Sequence, residues 1–414
     1  MRRKVQVTSA EKCSSTVAEW THIEGILEVI VQKINNISDL IRFGSVCSLW
    51  RSVAKHHGRL CLDHQYGRPG FIVSESFDDL HMPQNPQHYI PLSKANLDYQ
   101  TIKHTLPQLH LSRLKYCFGS YKGWLLALKA DGNDSLVVLN PVTGAEILLC
   151  HEKYDRYSQI VFSCSPTDPK NFYVLARNRI GGLFYCAPGD ERWVHMQIKN
   201  LAFEVHGYLD ATFYKGKLYA VHESGRILVY DHPITVSSSV PRISQEIRMP
   251  PACITPSGSV FPRFPGQQGC GHLYYLVEAG AGLLLAVRKT SRTAYTDRLL
   301  SATKAFEVYK LLGGSNNNNN HEWELVKNLG EYALFLGFCQ SFALSELKVS
   351  GIKGNHIYFL DHYFHIDRRF YDMGVYSLDM NFYSFRETKN FVDPNLSGLP
   401  KARLRGMWFI PTPW

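Results

Sequence analysis

Eighteen histidines and ten cysteines are the residues of this 414-residue chain whose types could do chemistry, so their spacing comes first. Asp361-His362 and His365-Ile366-Asp367 put two imidazoles and two carboxylates in one short run after an apolar stretch. A metal needs such groups to converge in a fixed geometry, and no second cluster with ligand spacing accompanies them. His56-His57 stand as an isolated pair. Nucleophilic catalysis would announce itself in a Gly-x-Ser-x-Gly elbow, and none occurs; Thr255-Pro256-Ser257-Gly258-Ser259 has the composition of a turn. Phosphate-cradling glycine motifs are also absent. The cysteines form no CxxC pair, and Cys47 with Cys61, in or beside the helical stretch, has no partner pair with it. Cys47 falls on an apolar stripe and reads as packing. The chain is therefore expected to carry no catalytic residue, no metal and no cofactor.

The elements around these residues are of two kinds. From Trp20 to Val53 two apolar patterns recur at helical steps. Trp20, Ile23, Ile26, Leu27, Ile30, Val31 and Ile34 share a first face, with Thr21 and Glu24 at capping-box spacing. Asn35-Asn36-Ile37 interrupt, Ser38-Asp39 offer a cap, and Leu40, Phe43, Val46, Cys47, Trp50 and Val53 predict one second helix. Two such helices bury little alone, so their spare apolar surface needs a partner.

The run Asp39, Leu40, Arg42, Phe43, Val46, Cys47, Trp50, Arg51 resembles the second half of an F-box, the helical motif that docks on the adaptor of a cullin–RING ubiquitin ligase. The family usually opens with a Leu-Pro pair; the matching positions here are Ile23 and Glu24. Carried over by position, the resemblance implies Ile23, Ile26, Leu27, Leu40, Ile41, Val46, Trp50 and Arg51 as adaptor contacts. Phe43 and Cys47 read as interior.

Composition fits a soluble globular chain, with 45% hydrophobic and 20% charged residues. Twenty-three Tyr and 22 Phe favour strands in its bulk. The net charge of +9 is scattered, with Arg2-Arg3-Lys4 the only dense start, so no nucleic-acid reader is indicated. No apolar run reaches a membrane-spanning length and no secretory segment follows Met1. Reduced thiols in cytoplasm or nucleus are the expected state.

After residue 67 comes a proline-rich stretch with extended candidates at Phe71–Val73 and His88–Leu92. Short apolar strands and Gly-rich turns then alternate. Examples are Gly123–Leu128, Leu136–Leu139, Phe172–Leu175, Gly182–Tyr185, Gly216–Val221, Ile227–Tyr230, Leu273–Glu278, Leu283–Arg288, Ala305–Leu311, Asn355–Leu360 and Gly374–Leu378. Equivalent strands return at a spacing of roughly 45 to 60 residues, in the range of propeller blades. Gly313-Gly314-Ser315 and five asparagines fall between two of these strands and read as a long mobile hairpin loop.

Phe118 to Leu125, Leu139-Asn140-Pro141-Val142-Thr143-Gly144, Gly354 to Phe359 and Trp408 to Trp414 also resemble the landmarks of the domain that follows the F-box in a large group of plant F-box proteins. That resemblance implies a Kelch-like propeller acting as a substrate receptor.

The expected architecture is α+β in composition, with a small all-α module followed by an all-β, propeller-like domain of five to seven blades. Its parts are a flexible segment 1–19, an F-box-like module 20–60, and a propeller 68–414 with a low-complexity loop at 313–320. The expected function is the substrate-receptor subunit of an SCF-type ligase, linking its adaptor, and through it a cullin, to a protein substrate. Nucleic acid and membrane are not expected partners. The alternatives are a stand-alone propeller binding protein or carbohydrate beside a degenerate F-box, and a propeller enzyme with acid/base residues at its central channel.

Overall fold

The structure, a computed structural model, describes residues 18–34, 37–62, 69–77, 83–92, 114–132, 135–150, 157–167, 172–178, 181–196, 207–231, 243–254, 260, 270–280, 282–295, 298–313, 322–337, 339–349, 351–360, 374–379 and 405–411. The runs 361–367 and 255–259 and the asparagine tract lie outside them. The chain divides into two compact units, Met1–Tyr66 and Gly67–Trp414.

Among the described residues the first unit holds three helices, α1 (Ala18–Gln32), α2 (Ile37–Gly44) and α3 (Ser48–Leu62). Leu27 and Val31 from α1, Leu40 and Phe43 from α2, and Val53 and Ala54 from α3 are buried. The single second helix expected from the apolar pattern is broken at Ser45–Cys47. Gly44 and Ser45 are weak helix formers, and the Ser45 hydroxyl donates to the Ile41 carbonyl at 2.7 Å. The Ser45 and Val46 amides turn back onto Arg42 and Phe43, three residues away, a tight terminal turn. The break carries Val46 and Cys47 off the stripe, and both are exposed rather than packed. The first helix also starts earlier than the Thr21–Glu24 spacing suggests, at Ala18.

The second unit is built from antiparallel blades stacked around a ring. Its first strands are β1 (Gly70–Phe77) and β2 (Pro83–Pro91). The first blade is β3 (Leu114–Tyr121), β4 (Trp124–Lys129), β5 (Leu136–Leu139) and β6 (Glu146–Cys150). The second is β7 (Tyr157–Phe162), β8 (Val174–Asn178), β9 (Leu183–Cys186) and β10 (Val194–His195). The third is β11 (Tyr208–Tyr214), β12 (Lys217–His222), β13 (Arg226–Asp231) and β14 (Ile243–Arg248). The fourth is β15 (Cys270–Ala279), β16 (Gly282–Tyr295), β17 (Arg298–Leu312) and β18 (Glu322–Val326). The fifth is β19 (Tyr332–Leu336), β20 (Phe342–Ser345), β21 (His356–Phe359) and β22 (Gly374–Ser377). Last comes β23 (Arg405–Phe409).

Among the described residues these strands make five sheets, one per blade, the first extended to the order β23-β1-β2-β3-β4-β5-β6. The domain is a five-bladed propeller. Its last blade departs from a simple meander: its order is β20-β19-β21-β22, with β19 and β21 parallel. β20 folds back beside β19, so the next strand has to enter on the far side in the same direction as β19.

A strand covered on both faces by neighbouring blades has no polar side, so β4 (WLLALK) and β5 (LVVL) read as unbroken apolar runs and are buried nearly throughout. Outer strands keep a wet face, as in β14 and β18. Each blade packs on the next through its own apolar layer. The ring is closed by β23, whose residues 405–409 pair antiparallel with Gly70–Ser74 of β1. Met407 and Phe409 face the first blade, while Trp408 faces the fifth. There the Trp408 indole donates to the Leu336 carbonyl at 2.9 Å and stands edge-on to Phe335 at 5.0 Å. Pairing the two ends of the unit in this way locks the ring.

Candidate docking surface

In the helical unit the sites divide by burial. Ile23, Ile26 and Val46 are exposed apolar side chains, Ile26 at 60% and Val46 at 61%. Ile41 and Trp50 are half-buried and Arg51 is exposed. Leu27 and Leu40 face inward and hold the helices together. Two further side chains, Val29 at 59% and Ile30, join the exposed set. Their signal was an excess: α1 carries more apolar residues than one helix face can bury. Ile23, Ile26 and Ile30 fall at steps of three and four, so they form a continuous stripe beside Val29. Full burial of such a side chain gains about 1.5–3 kcal/mol, which makes this stripe the candidate docking surface of the unit.

Two residues of the F-box-like run also have work inside the module. The Trp50 ring sits 4.4 Å from that of Phe43, so one side of it is already packed. Arg51 donates from Nε to the Gly44 carbonyl at 3.1 Å, satisfying one of the orphan acceptors at the end of α2 and placing a cation at its negative pole. Arg51→Ala is accordingly expected to destabilise the module by about 1 kcal/mol, read as a lower urea midpoint for helix loss. His56, one of the isolated pair, hydrogen-bonds through Nδ1 to the Ser52 carbonyl at 2.9 Å. Among the described residues no group of His, Cys, Asp and Glu is placed to hold a metal.

The propeller's own polar centre lies on its inner strands. Asp210 of β11 is buried, and its carboxylate accepts from the Gln159 side chain of β7 and from the Leu276 amide of β15. Arg177 of β8 is also buried; it donates from Nε to Gln159 Oε1 at 3.3 Å and from a terminal nitrogen to the Tyr208 carbonyl at 3.4 Å. One carboxylate thus ties three blades. From the fifth blade, Gln340 reaches over to accept the Phe162 amide of β7 at 3.0 Å, and the Cys339 thiol points to the Phe118 carbonyl of β3 at 3.9 Å. Cys339 and Gln340 therefore reach the inner strands of the first two blades. These polar groups are engaged in holding the ring, the opposite of an acid/base pair open to substrate.

Burial pushes the Asp210 carboxyl up to about 6, against the pull of the Leu276 amide, Gln159 and the nearby Arg177 charge. A carboxyl raised in the folded state holds its proton longer there than when unfolded. Its contribution to stability is thus full below the unfolded value and is lost as pH rises through about 6. The difference in unfolding free energy between the native chain and Asp210→Asn should fall by up to about 3 kcal/mol between roughly pH 4 and pH 6.5, measured by urea titration of both proteins across that range.

The sequence model of the KIB1-4 beta-propeller family matches residues 91–377. The F-box protein At2g26160 of Arabidopsis thaliana is 22% identical over 374 residues, covering 83% of this chain and 96% of that protein. The putative F-box/kelch-repeat protein At5g24040 of the same plant is 22% identical over 373 residues, covering 83% of this chain and 87% of its own length. Among solved structures, the beta-propeller domain of Myceliophteria thermophila Cps50 (Swd1) aligns over 64% of this chain and 82% of its own, at 8% identity and a TM-score of 0.29.

Proposed function

The chain belongs to the KIB1-4 beta-propeller family, as a plant F-box protein with a C-terminal propeller, and from that premise we propose that it is the substrate-receptor subunit of an SCF-type cullin–RING ubiquitin ligase. The observation that carries the reading is the apolar stripe Ile23, Ile26, Val29 and Ile30 left exposed on α1, with Val46 exposed at the α2–α3 corner. A helix that presents such a stripe docks in a partner's groove. Ile23, Ile26, Val46 and the open side of Trp50 are the adaptor contacts. Leu27 and Leu40 contribute indirectly by holding α1 and α2 on α3.

The propeller then presents its loops to a protein substrate, since recognition concentrates on loops carried by a rigid scaffold. Ubiquitin transfer is done elsewhere in the complex, and this chain is a non-catalytic link, working in the cytoplasm or nucleus. Co-purification with the adaptor tests the reading. The full chain should retain the adaptor through washing, and a chain lacking Met1–Tyr66 should not. Failure of the full chain to bind would favour a stand-alone propeller module, the reading that the Ile23-Glu24 pair in place of Leu-Pro supports.

A further inference from the structure

Cys117 and Cys339 are free cysteines of the propeller that neither the docking surface nor the polar node uses. Cys117 stands on β3 and Cys339 between β19 and β20, yet they share one buried layer, at 2% and 3% exposure. Ile72 of β1 and Met407 and Phe409 of β23 lie in the same layer. It is the seam where the two ends of the unit pair and close the ring. One thiol thus comes from the first blade and the other from the last, and both sit at the closure.

The strand puts both sulfur atoms on one side of β3. Phe118 packs in the layer between the first and second blades, so Cys117 before it points the other way, into the closure. The Cys339 Sγ stands 3.9 Å from the Phe118 carbonyl oxygen and accepts from the Ser120 amide, just past Cys117 along the strand. Between Cys117 and Gly119 the β3–β4 register slips, a bulge of the kind that re-aims a side chain. Burial pushes the Cys117 thiol well above the usual thiol range, and the neighbouring Cys339 pushes it further. Burial raises Cys339 as well, against the pull of the Ser120 amide. Both are therefore protonated and sheltered while the ring is closed, and a buried thiol in that state is inert. Opening of the seam frees both at once.

We propose that Cys117 and Cys339 are a redox clasp on the ring: hydrogen peroxide joins them as a disulfide when the seam opens, and a thiol reductant releases them. In the opened seam one thiol gives its proton to water and attacks a peroxide oxygen. The O–O bond breaks, leaving a sulfenic acid and a hydroxide that takes the proton up as water. The second thiol then attacks the sulfenic sulfur, forms the S–S bond and expels the hydroxyl with its own proton as a second water. Two thiols are oxidised by two electrons, and one peroxide is reduced to two waters. Closing so long a loop takes entropy from the unfolded chain, so the oxidised ring resists opening more than the reduced one. The clasp stands apart from the receptor reading, since it sets how firmly the propeller keeps its shape under oxidising conditions. Cys150 and Cys186 provide the comparison, because they share the layer between the first and second blades, a seam that the chain ends do not close.

The test treats the full chain with hydrogen peroxide, with and without urea below the unfolding transition, then alkylates the remaining thiols and digests without reduction. The expected product is a Cys117–Cys339 linked peptide, lost on adding dithiothreitol. It should be at least about tenfold more abundant than any Cys150–Cys186 link, because the closure opens more readily than a seam between consecutive blades. Urea below the transition should speed its formation, and the oxidised chain should unfold at a higher urea concentration than the reduced one. Cys339→Ser should show neither the linked peptide nor the shift. The linked peptide of the native chain is read without any substitution, so the proposal does not depend on that variant folding. Links only between other cysteines, sulfinic or sulfonic acid at both positions, or alkylation of both thiols with no link between them overturns the clasp.

Discussion

Asp210→Ala is expected to lower the unfolding free energy of the propeller by about 3 kcal/mol or more. The size follows from what the carboxylate holds. Its loss strips an acceptor from the Leu276 amide and from Gln159, both out of water, and removes the counter-charge near buried Arg177. Each buried polar group left without its acceptor costs about 1–3 kcal/mol, and the groups belong to three blades at once. The defect is therefore not local: it loosens the inner edge where the second, third and fourth blades meet. Chemical denaturation followed by tryptophan fluorescence measures the shift, with Asp210→Asn as the milder partner that keeps shape and one acceptor. A loss below about 1 kcal/mol for the alanine variant would mean that the ring does not depend on this node.

The second large effect falls on binding rather than stability. Ile26→Asp is expected to weaken adaptor binding at least about 100-fold, equivalent to about 2.7 kcal/mol, while leaving the helical unit folded. Ile26 is more than half exposed, so an aspartate there stays in water in the unbound chain and costs only a few tenths of a kcal/mol in helix propensity. In the docked state the same carboxylate would be buried without a partner. Its neighbour provides the control. Leu27 is 2% exposed and packs inward, so Leu27→Asp should unfold the module itself. Adjacent positions thus give opposite phenotypes, read by circular dichroism alongside binding. A folded Ile26→Asp variant that binds like the native chain would remove this stripe from the interface.

Sequence periodicity found the strands that are apolar on both faces, such as β4, β5, β12 and β13, because neighbouring blades leave them no polar side. It passed over β7 and β11, whose sequences YSQIVF and YLDATFY carry Gln159 and Asp210. The innermost strands hold the ring's polar node, and a buried Asp or Gln in a strand looks from sequence like a residue facing water. The fold-back of β20 was unreadable for another reason, since the same short apolar runs serve a meander or a parallel pair equally well. In the helical unit the F-box-like spacing was plain, but the break after Gly44 was not, because Val46 and Cys47 continue the apolar rhythm that the Ser45 hydroxyl interrupts. Which isoleucines face outward was also hidden. On α1 the apolar residues nearly encircle the helix, and only the position of α3 decides that Leu27 and Val31 go in while Ile26, Val29 and Ile30 stay out.

The receptor reading stands or falls on whether this helical unit binds an adaptor. Calorimetric titration of the purified full chain with the purified SCF adaptor, at several temperatures, asks this directly. Saturable one-to-one binding with a Kd of about 1 µM or tighter and a negative heat-capacity change, the mark of apolar burial, is the expected result. No measurable binding by a chain whose helices are intact would contradict the account and leave the propeller as a binding module on its own.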